Sequence, residues 1–232
     1  MITPRRSADR GRAYHGWLTA RHSFSFANYC DEDFMGFSVL RVINQDTIEP
    51  AKGFGTHGHN NMEIVTYVLD GMLEHKDSMG NGSQIRPGEV QLMSAGTGVT
   101  HSEFNASATE LLELFQIWML PARQGTTPRY EQRKFSPEDR QGQLRLVVSP
   151  DGQDGSLTIG QDTRMYASLL AAGDRVEHHL DPGRSAWLQM ATGEITVSDQ
   201  AFGPGDGAAI SEEERLVLTG KDDAEFLLFD LP

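Results

Sequence analysis

Short apolar runs alternate with polar turns along the whole chain. The runs are rich in Val, Ile, Leu and Phe, and they repeatedly end in Gly, Pro or Asp. Runs of this length and spacing are typical of the strands of an all-β sandwich or barrel. The predicted strands include residues 38–43, 64–69, 90–93, 111–120, 144–148, 186–190, 216–218 and 226–229.

Helix signals are few. Ser136 suits a helix N-cap and Pro137 suits the first helical position, so one short turn of helix is predicted there. The pattern as a whole therefore predicts an all-β protein with few short helices.

The two halves of the chain weakly repeat one plan. In each half a strand ends at a glycine, Gly71 or Gly193, and a Pro-Gly pair at 87–88 or 204–205 opens a later strand. This repeat predicts two stacked antiparallel β-barrels of similar topology. The boundary between them is expected in the polar stretch 124–143 or slightly after it.

Charge and cysteine content exclude several classes of function. The chain has 20 basic and 33 acidic residues, a net charge of −13, which argues against direct binding of nucleic acid. The single cysteine, Cys30, rules out an internal disulfide. No apolar run resembles a signal peptide or approaches a membrane span, so a cytoplasmic location is expected.

Two short clusters carry the candidate chemistry. One residue separates His57 from His59, and one separates His101 from Glu103. Residues two apart on a strand point to the same face. Two such strands facing each other across a barrel would aim three imidazoles and one carboxylate at one point. Nitrogen and oxygen ligands without a thiolate suit Fe, Mn, Ni, Co, Cu or Zn, with positions left open for chemistry.

Glu63 is a second candidate carboxylate. It lies four residues after His59, so on one continuous strand it would share the histidines' face. It could replace Glu103 as a ligand or orient one of the imidazoles. Spacing alone does not choose between these roles.

The second half of the chain lacks the full ligand set. Aligned on the glycine turns, His57 maps to His179, whereas His101 maps to Leu218. His178 and His179 are adjacent and would face opposite sides of a strand, so they cannot chelate as a pair there. The second half is therefore predicted to carry only a vestigial site.

Both clusters resemble the metal-binding motifs of the cupin superfamily. They read HxHx3E from His57 to Glu63 and GxGxxHx3N from Gly96 to Asn105. Further segments are similar to the pirin family of that superfamily, densely over about the first 135 residues and more loosely beyond. These segments are residues 15–18, 22–26, 35–37, 40–44, 77–81 and 94–103.

The resemblance implies a bicupin fold, a pair of double-stranded β-helix barrels. Residues 1–135 would form the N-terminal barrel with the metal site, and 136–232 a degenerate barrel without metal. The resemblance also implies one divalent transition metal ion, and iron is the ion expected. Glu63 would not be a ligand but would lie next to the ligands. The implied ligands are His57, His59, His101 and Glu103. Gly58 departs from the family, which usually has proline there, so a softer loop and a lower metal affinity are expected.

The activity implied by the resemblance is that of a quercetin 2,3-dioxygenase, which opens a flavonol ring with O2. Glu103 would act as the catalytic base on the flavonol hydroxyl. Phe24, Phe26, Tyr29 and Phe54 are candidates for lining the cleft that receives this planar aromatic substrate.

Two other functions are compatible with the sequence. The main alternative is a non-catalytic metal-binding regulator that acts through a protein partner, as eukaryotic members of the family do. A weaker alternative is a sugar or small-acid isomerase with Arg41, Gln116 and His75 as polar anchors, although a structural hydrogen bond is the expected role of His75. A monomer is expected for the two-barrel chain.

Overall fold

Antiparallel strands make up most of the computed structural model, which describes all 232 residues. The first twelve strands are β1 (Ile2–Arg5), β2 (Gly11–Tyr14), β3 (Leu18–His22), β4 (Leu40–Ile48), β5 (Gly53–His59), β6 (Glu63–Asp70), β7 (Leu73–Asp77), β8 (Gly82–Ile85), β9 (Glu89–Ser94), β10 (Val99–Asn105), β11 (Leu112–Met119) and β12 (Arg129–Lys134). The remaining elements are α1 (Pro137–Arg140), β13 (Arg145–Ser149), β14 (Leu157–Thr158), β15 (Arg164–Leu170), β16 (Arg175–His179), β17 (Ser185–Thr192), β18 (Ile195–Val197), β19 (Gln200–Phe202), β20 (Gly207–Ile210), β21 (Arg215–Gly220) and β22 (Ala224–Leu231).

The predicted mostly-β class is confirmed, and so is the short helix. Ser136 caps α1: its hydroxyl accepts from the Asp139 N–H at 3.3 Å, and the Asp139 carboxylate accepts from the Ser136 N–H at 2.8 Å. This reciprocal pair is a capping box. No helix of the protein is long and apolar enough to cross a membrane.

One compact unit contains residues 11–134 and 157–161. Its larger sheet has the strand order β12-β9-β6-β11-β4-β3-β2, and its smaller sheet has the order β5-β10-β7-β8. Several of these strands place apolar side chains on one face of their sheet, where they are buried. Part of the resulting core is a cluster that includes Leu18, Ile48, Val68, Leu73, Ile85, Leu112 and Leu114.

The other compact unit contains residues 1–10, 135–156 and 162–232. Its larger sheet includes the order β1-β20-β17-β22-β15-β13, and its smaller sheet has the order β16-β21-β18-β19. The core of this unit includes Leu188, Met190, Phe202, Phe226 and Leu228. Closure of each unit into a barrel, and the stacking of two barrels, stay predictions.

The first ten residues lie with the C-terminal half of the chain. Strand β1 pairs with β20, where Ile2 is opposite Ile210, and Arg6 Nη1 binds the Asp206 carboxylate at 2.7 Å. Strand β1 forms backbone hydrogen bonds with the edge of β20 that lies opposite β17, so this edge is not left unpaired. The predicted division into 1–135 and 136–232 assigns these residues to the first domain, and as a domain division it stays a prediction.

Candidate metal centre

The four predicted ligands lie on β5 and β10, which are neighbours in one sheet. His57 is directly opposite His101, and His59 is opposite Val99. The register shifts between the pairs His101–His57 and Glu103–Phe54, because β5 has one extra residue there. The expectation that the two strands face each other across a barrel is therefore wrong. The imidazoles still converge, because opposite residues of antiparallel neighbours lie within about 5 Å of each other.

The three imidazoles form a tight group. Their ring centroids lie 4.4 Å apart for His57 and His101, 4.8 Å for His57 and His59, and 4.9 Å for His59 and His101. The Nε2 atoms of His57 and His101 are 3.0 Å apart. Two nitrogens bound at about 2.1 Å and at right angles around one ion would be separated by about 3.0 Å. The spacing therefore fits a shared metal ion.

The hydrogen bonds and burial of these rings favour the protonation state that a metal requires. His57 Nδ1 lies 2.8 Å from the Gly55 carbonyl oxygen, which can only accept, so Nδ1 carries the hydrogen and Nε2 presents its lone pair. Burial, followed by the neighbouring imidazoles, lowers the pKa of His59 to about 4 and that of His101 to about 3. Neutral imidazoles are the metal-binding form.

Glu103 lies next to His101 and is held by the larger sheet. Its Oε2 accepts from Gln116 Nε2 at 2.8 Å, and its Oε1 accepts from Thr66 Oγ1 at 3.5 Å. Burial raises the pKa of Glu103 to about 7, although these hydrogen bonds oppose the rise. Glu103, His101 and His75 form a second group whose ligand atoms lie within 4.8 Å of one another. A divalent ion would favour the charged carboxylate.

Glu63 lies outside both groups of potential metal ligands. Strand β5 ends at His59, Asn61 turns the chain with a φ of 48°, and β6 begins at Glu63 in the larger sheet. The single continuous strand assumed in the sequence analysis is therefore wrong. The Glu63 carboxylate accepts instead from Ser94 Oγ at 2.7 Å and from the Gly160 N–H at 3.2 Å.

A cavity of about 610 Å³ opens onto His57, His59 and Glu103. Of the four aromatic residues predicted to line it, Phe26, Tyr29 and Phe54 do so. The prediction for Phe24 is wrong, because its side chain is packed in the core and 1% exposed.

Several cavity residues were not found by sequence reasoning. Trp17 lies in a loop, and its ring meets Phe54 edge to face at 5.1 Å. Trp118 lies two residues after Gln116 on β11, and its ring meets His59 at 4.9 Å. Asn44 and Asp46 lie two residues apart on β4 and therefore share one face of that strand, where both line the cavity. Polar residues two apart in a predicted strand were the available signal for a polar patch on one face.

The three polar anchors considered for an isomerase have other partners. Arg41 Nη1 donates to two backbone carbonyls of the preceding loop, at 3.0 and 2.5 Å. Gln116 lines the cavity but donates to Glu103. His75 is fully buried and its Nε2 lies 3.2 Å from Asp77 Oδ2, the structural hydrogen bond expected for it.

The corresponding strands of the other unit have no such cluster. His178 is buried and lies 2.9 Å from the Asp230 carboxylate, whereas His179 is exposed. These neighbours therefore face opposite sides of β16, as predicted. Both groups of three potential metal ligands lie within residues 11–134.

The close approach of β5 and β10 depends on Gly53. A β-carbon at this position would lie 2.2 Å from the Glu103 carbonyl oxygen and 2.5 Å from the Phe104 Cα. Gly53→Ala should push the two strands apart, lowering the free energy of unfolding by about 1–3 kcal/mol and weakening metal binding. Urea denaturation and metal analysis measure both effects.

Gly55→Ala is the matched control for this substitution, because a β-carbon there meets nothing within 4 Å. We expect its stability and metal content to equal those of the wild type. If both substitutions had equal effects, the close approach of β5 and β10 would not explain the loss of stability and metal binding in Gly53→Ala.

Two family models match the chain. The model described as Pirin matches residues 4–119, and the model described as Quercetinase C-terminal cupin domain matches residues 146–231. A protein named quercetin 2,3-dioxygenase from Escherichia coli strain K12 is 51% identical over 232 residues, covering 100% of this chain and 99% of the relative.

Solved structures are similar over the same length. The crystal structure of YhhW from Escherichia coli has a TM-score of 0.97 at 50% identity, covering 100% of this chain and 98% of that one. The structure of bacterial pirin YhhW in complex with nickel(II) has a TM-score of 0.96 at 50% identity, covering 100% and 99%. With both halves matched, the chain belongs to the pirin family and has a two-domain cupin fold.

Proposed function

We propose that the protein is a metal-dependent dioxygenase of the quercetin 2,3-dioxygenase type, which opens a flavonol ring with O2. The observation that carries this proposal is the cluster of three imidazoles beside an aromatic-lined cavity that Glu103 also lines. A relative at 51% identity bears the name of this enzyme.

His57, His59, His101 and Glu103 are the proposed ligands of one divalent transition metal ion. Their donor set of three neutral nitrogens and one oxygen fits such an ion and leaves positions open in an octahedral site. The bound ion would supply a Lewis acid for the substrate hydroxyl and a redox centre for O2. We propose iron as the native ion, while a relative binds nickel(II).

The cavity would bind and orient a planar aromatic substrate. Its volume of about 610 Å³ is within the range of small-molecule sites. Trp17 and Phe54 form one edge-to-face pair in the cavity wall, and Phe26 and Trp118 form another with centroids 5.5 Å apart. Such walls exclude water from the reacting atoms and stack on the faces or edges of an aromatic ligand.

Glu103 is the proposed catalytic base. Its carboxylate faces the cavity, and the hydrogen bonds from Gln116 and Thr66 fix its orientation. A carboxylate oxygen would accept the proton of the flavonol hydroxyl, which makes the bound substrate an electron-rich anion. A bound divalent ion would keep this carboxylate charged, which is the form that accepts a proton.

The accessibility of the site favours catalysis over the regulatory alternative. A regulator that uses the metal only to stabilise its fold needs a closed site, whereas catalysis needs open positions. His57 and His59 are only half-buried and both line the cavity. A regulator acting through a protein partner remains the alternative function.

Turnover of quercetin with and without O2 tests the proposal. Metal-free protein is reconstituted separately with Fe, Mn, Ni, Co or Cu, and ring-opened product and carbon monoxide are measured in air and under anaerobic conditions. We expect O2-dependent product with at least one ion. If no ion supports product formation, the proposed activity is wrong. Elemental analysis of freshly purified protein identifies the native ion and tests for one ion per chain.

A further inference from the structure

Two buried side chains of β7 lie beside the proposed ligands. Strand β10 pairs with β7 so that His101 is opposite Asp77 and Glu103 is opposite His75. The side chains of His75 and Asp77 are both 0% exposed. Buried polar groups of this kind are costly unless they are hydrogen-bonded, so their partners indicate what they do.

Asp77 is held in one orientation by three donors. Its Oδ1 accepts from the N–H groups of Met79 at 2.9 Å and Asn81 at 3.0 Å, and its Oδ2 accepts from Asn81 Nδ2 at 2.8 Å. The same Oδ2 lies 3.2 Å from His75 Nε2. Because a carboxylate only accepts, Nε2 of His75 carries the hydrogen, and Nδ1 of a neutral His75 presents a lone pair.

The His75 ring is fixed against the ring of Tyr130. The two rings are stacked with centroids 4.9 Å apart and an interplanar angle of 23°, and the Tyr130 hydroxyl lies 2.5 Å from Ser83 Oγ. The other neighbour of His75 is the ring of His101, with centroids 5.3 Å apart. Nδ1 of His75 is buried and has no hydrogen-bond partner within the protein.

His101 needs a hydrogen-bond acceptor, whereas Nδ1 of His75 needs a donor. Its Nε2 is directed at the Nε2 of His57, the position of the proposed ion. A neutral imidazole that binds a metal through Nε2 carries its hydrogen on Nδ1. Nδ1 of His101 is also buried and has no partner within the protein. A buried donor and a buried acceptor, each destabilising if left unpaired, thus lie on neighbouring rings.

We propose that Asp77 and His75 form a positioning pair that accepts the Nδ1 hydrogen of His101 through one bridging water, since the two Nδ1 atoms make no direct hydrogen bond. The pair fixes the ring orientation and the tautomer with which His101 binds the ion. Neither residue touches the reacting atoms. The inference rests on the proposed metal site and extends it to two residues outside the ligand set. Residues that hydrogen-bond to a metal ligand typically strengthen metal binding by about 10–100-fold.

Nickel(II) affinity of two His75 variants tests the pair. His75→Phe keeps a buried ring but removes the acceptor, whereas His75→Gln keeps a carbonyl oxygen toward His101 and an N–H toward Asp77. We expect His75→Phe to raise the dissociation constant by about 10–100-fold, and His75→Gln to recover most of that loss. Competition with a chelator measures the constants, and the absorption spectrum of cobalt(II) protein reports ligand geometry.

His178→Phe is the matched control. His178 is another buried histidine whose Nε2 faces an aspartate, Asp230, and it lies in the unit without the ligand cluster. Its nickel(II) constant should equal that of the wild type. Wild-type affinity in His75→Phe, or an equal loss in His75→Phe and His75→Gln, would overturn the positioning pair. A wild-type protein that binds no nickel would instead overturn the metal site itself.

A measurement on the unchanged protein does not depend on how the variants fold. In the zinc-loaded protein, ¹⁵N NMR of the imidazole rings distinguishes protonated from unprotonated nitrogens. We expect hydrogen on Nε2 of His75 and on Nδ1 of His101. Hydrogen on Nδ1 of His75 would overturn the proposal.

Discussion

His101→Ala is expected to remove the metal and abolish turnover while the β-fold persists. His101 belongs to both groups of potential metal ligands, and its Nε2 lies 3.0 Å from that of His57. Loss of this nitrogen should weaken metal binding by more than about 100-fold, because even residues that only hydrogen-bond to a metal ligand contribute about 10–100-fold. Elemental analysis, quercetin turnover and circular dichroism measure the three outcomes.

His179→Ala is the control for this substitution. His179 is exposed on β16 of the other unit, and it is the residue that the internal repeat aligns with His57. Its removal should leave the metal content unchanged. Stoichiometric metal in folded His101→Ala protein would show that the ligand assignment is wrong.

Glu103→Gln is expected to lower the rate of turnover by about 10²–10⁴-fold in metal-saturated protein, the usual contribution of a general base. Glutamine preserves the shape of the side chain but cannot take the hydroxyl proton. It also replaces a charged ligand by a neutral one, so the metal affinity should fall as well. Steady-state kinetics at saturating metal separates the loss of the base from the loss of the ion.

Glu63→Gln is the matched control for Glu103→Gln. Glu63 is the nearby buried carboxylate that accepts from Ser94 and Gly160 and lies outside the ligand groups. Its substitution should leave turnover at saturating metal close to the wild-type rate. A collapse of turnover in Glu63→Gln, with Glu103→Gln unaffected, would reverse the roles assigned to the two residues.

The local sequence was sufficient to predict eight of the 22 strands and to pair the proposed ligands on one face of each strand. Alternation every second residue places His57 with His59, and His101 with Glu103, on one face of their strands whatever the partner strand is. The capping box that begins at Ser136 is equally local, because its two hydrogen bonds join residues three apart. Such features are encoded within a few residues of sequence.

Features that depend on distant pairings were not predictable in the same way. Whether β5 and β10 are neighbours or face each other is decided by strand order, which periodicity does not contain. Because the chain turns at Asn61, Glu63 lies in a different sheet from His59. The spacing of the two residues had suggested that they share one face of a single strand. The contribution of Trp118 to the cavity likewise follows from which strands surround β11.

The pairing of β1 with β20 has a consequence for folding during synthesis. The two strands lie roughly 200 residues apart in the chain. At typical elongation rates of 5–20 residues per second, β1 leaves the ribosome about 10–40 s before its partner. The unit that contains both strands therefore cannot reach its final hydrogen bonding until β20 has been synthesised, and β1 lacks this partner during that interval. Pro4 in β1 lacks an N–H, which makes the waiting strand a poorer template for association with other nascent chains.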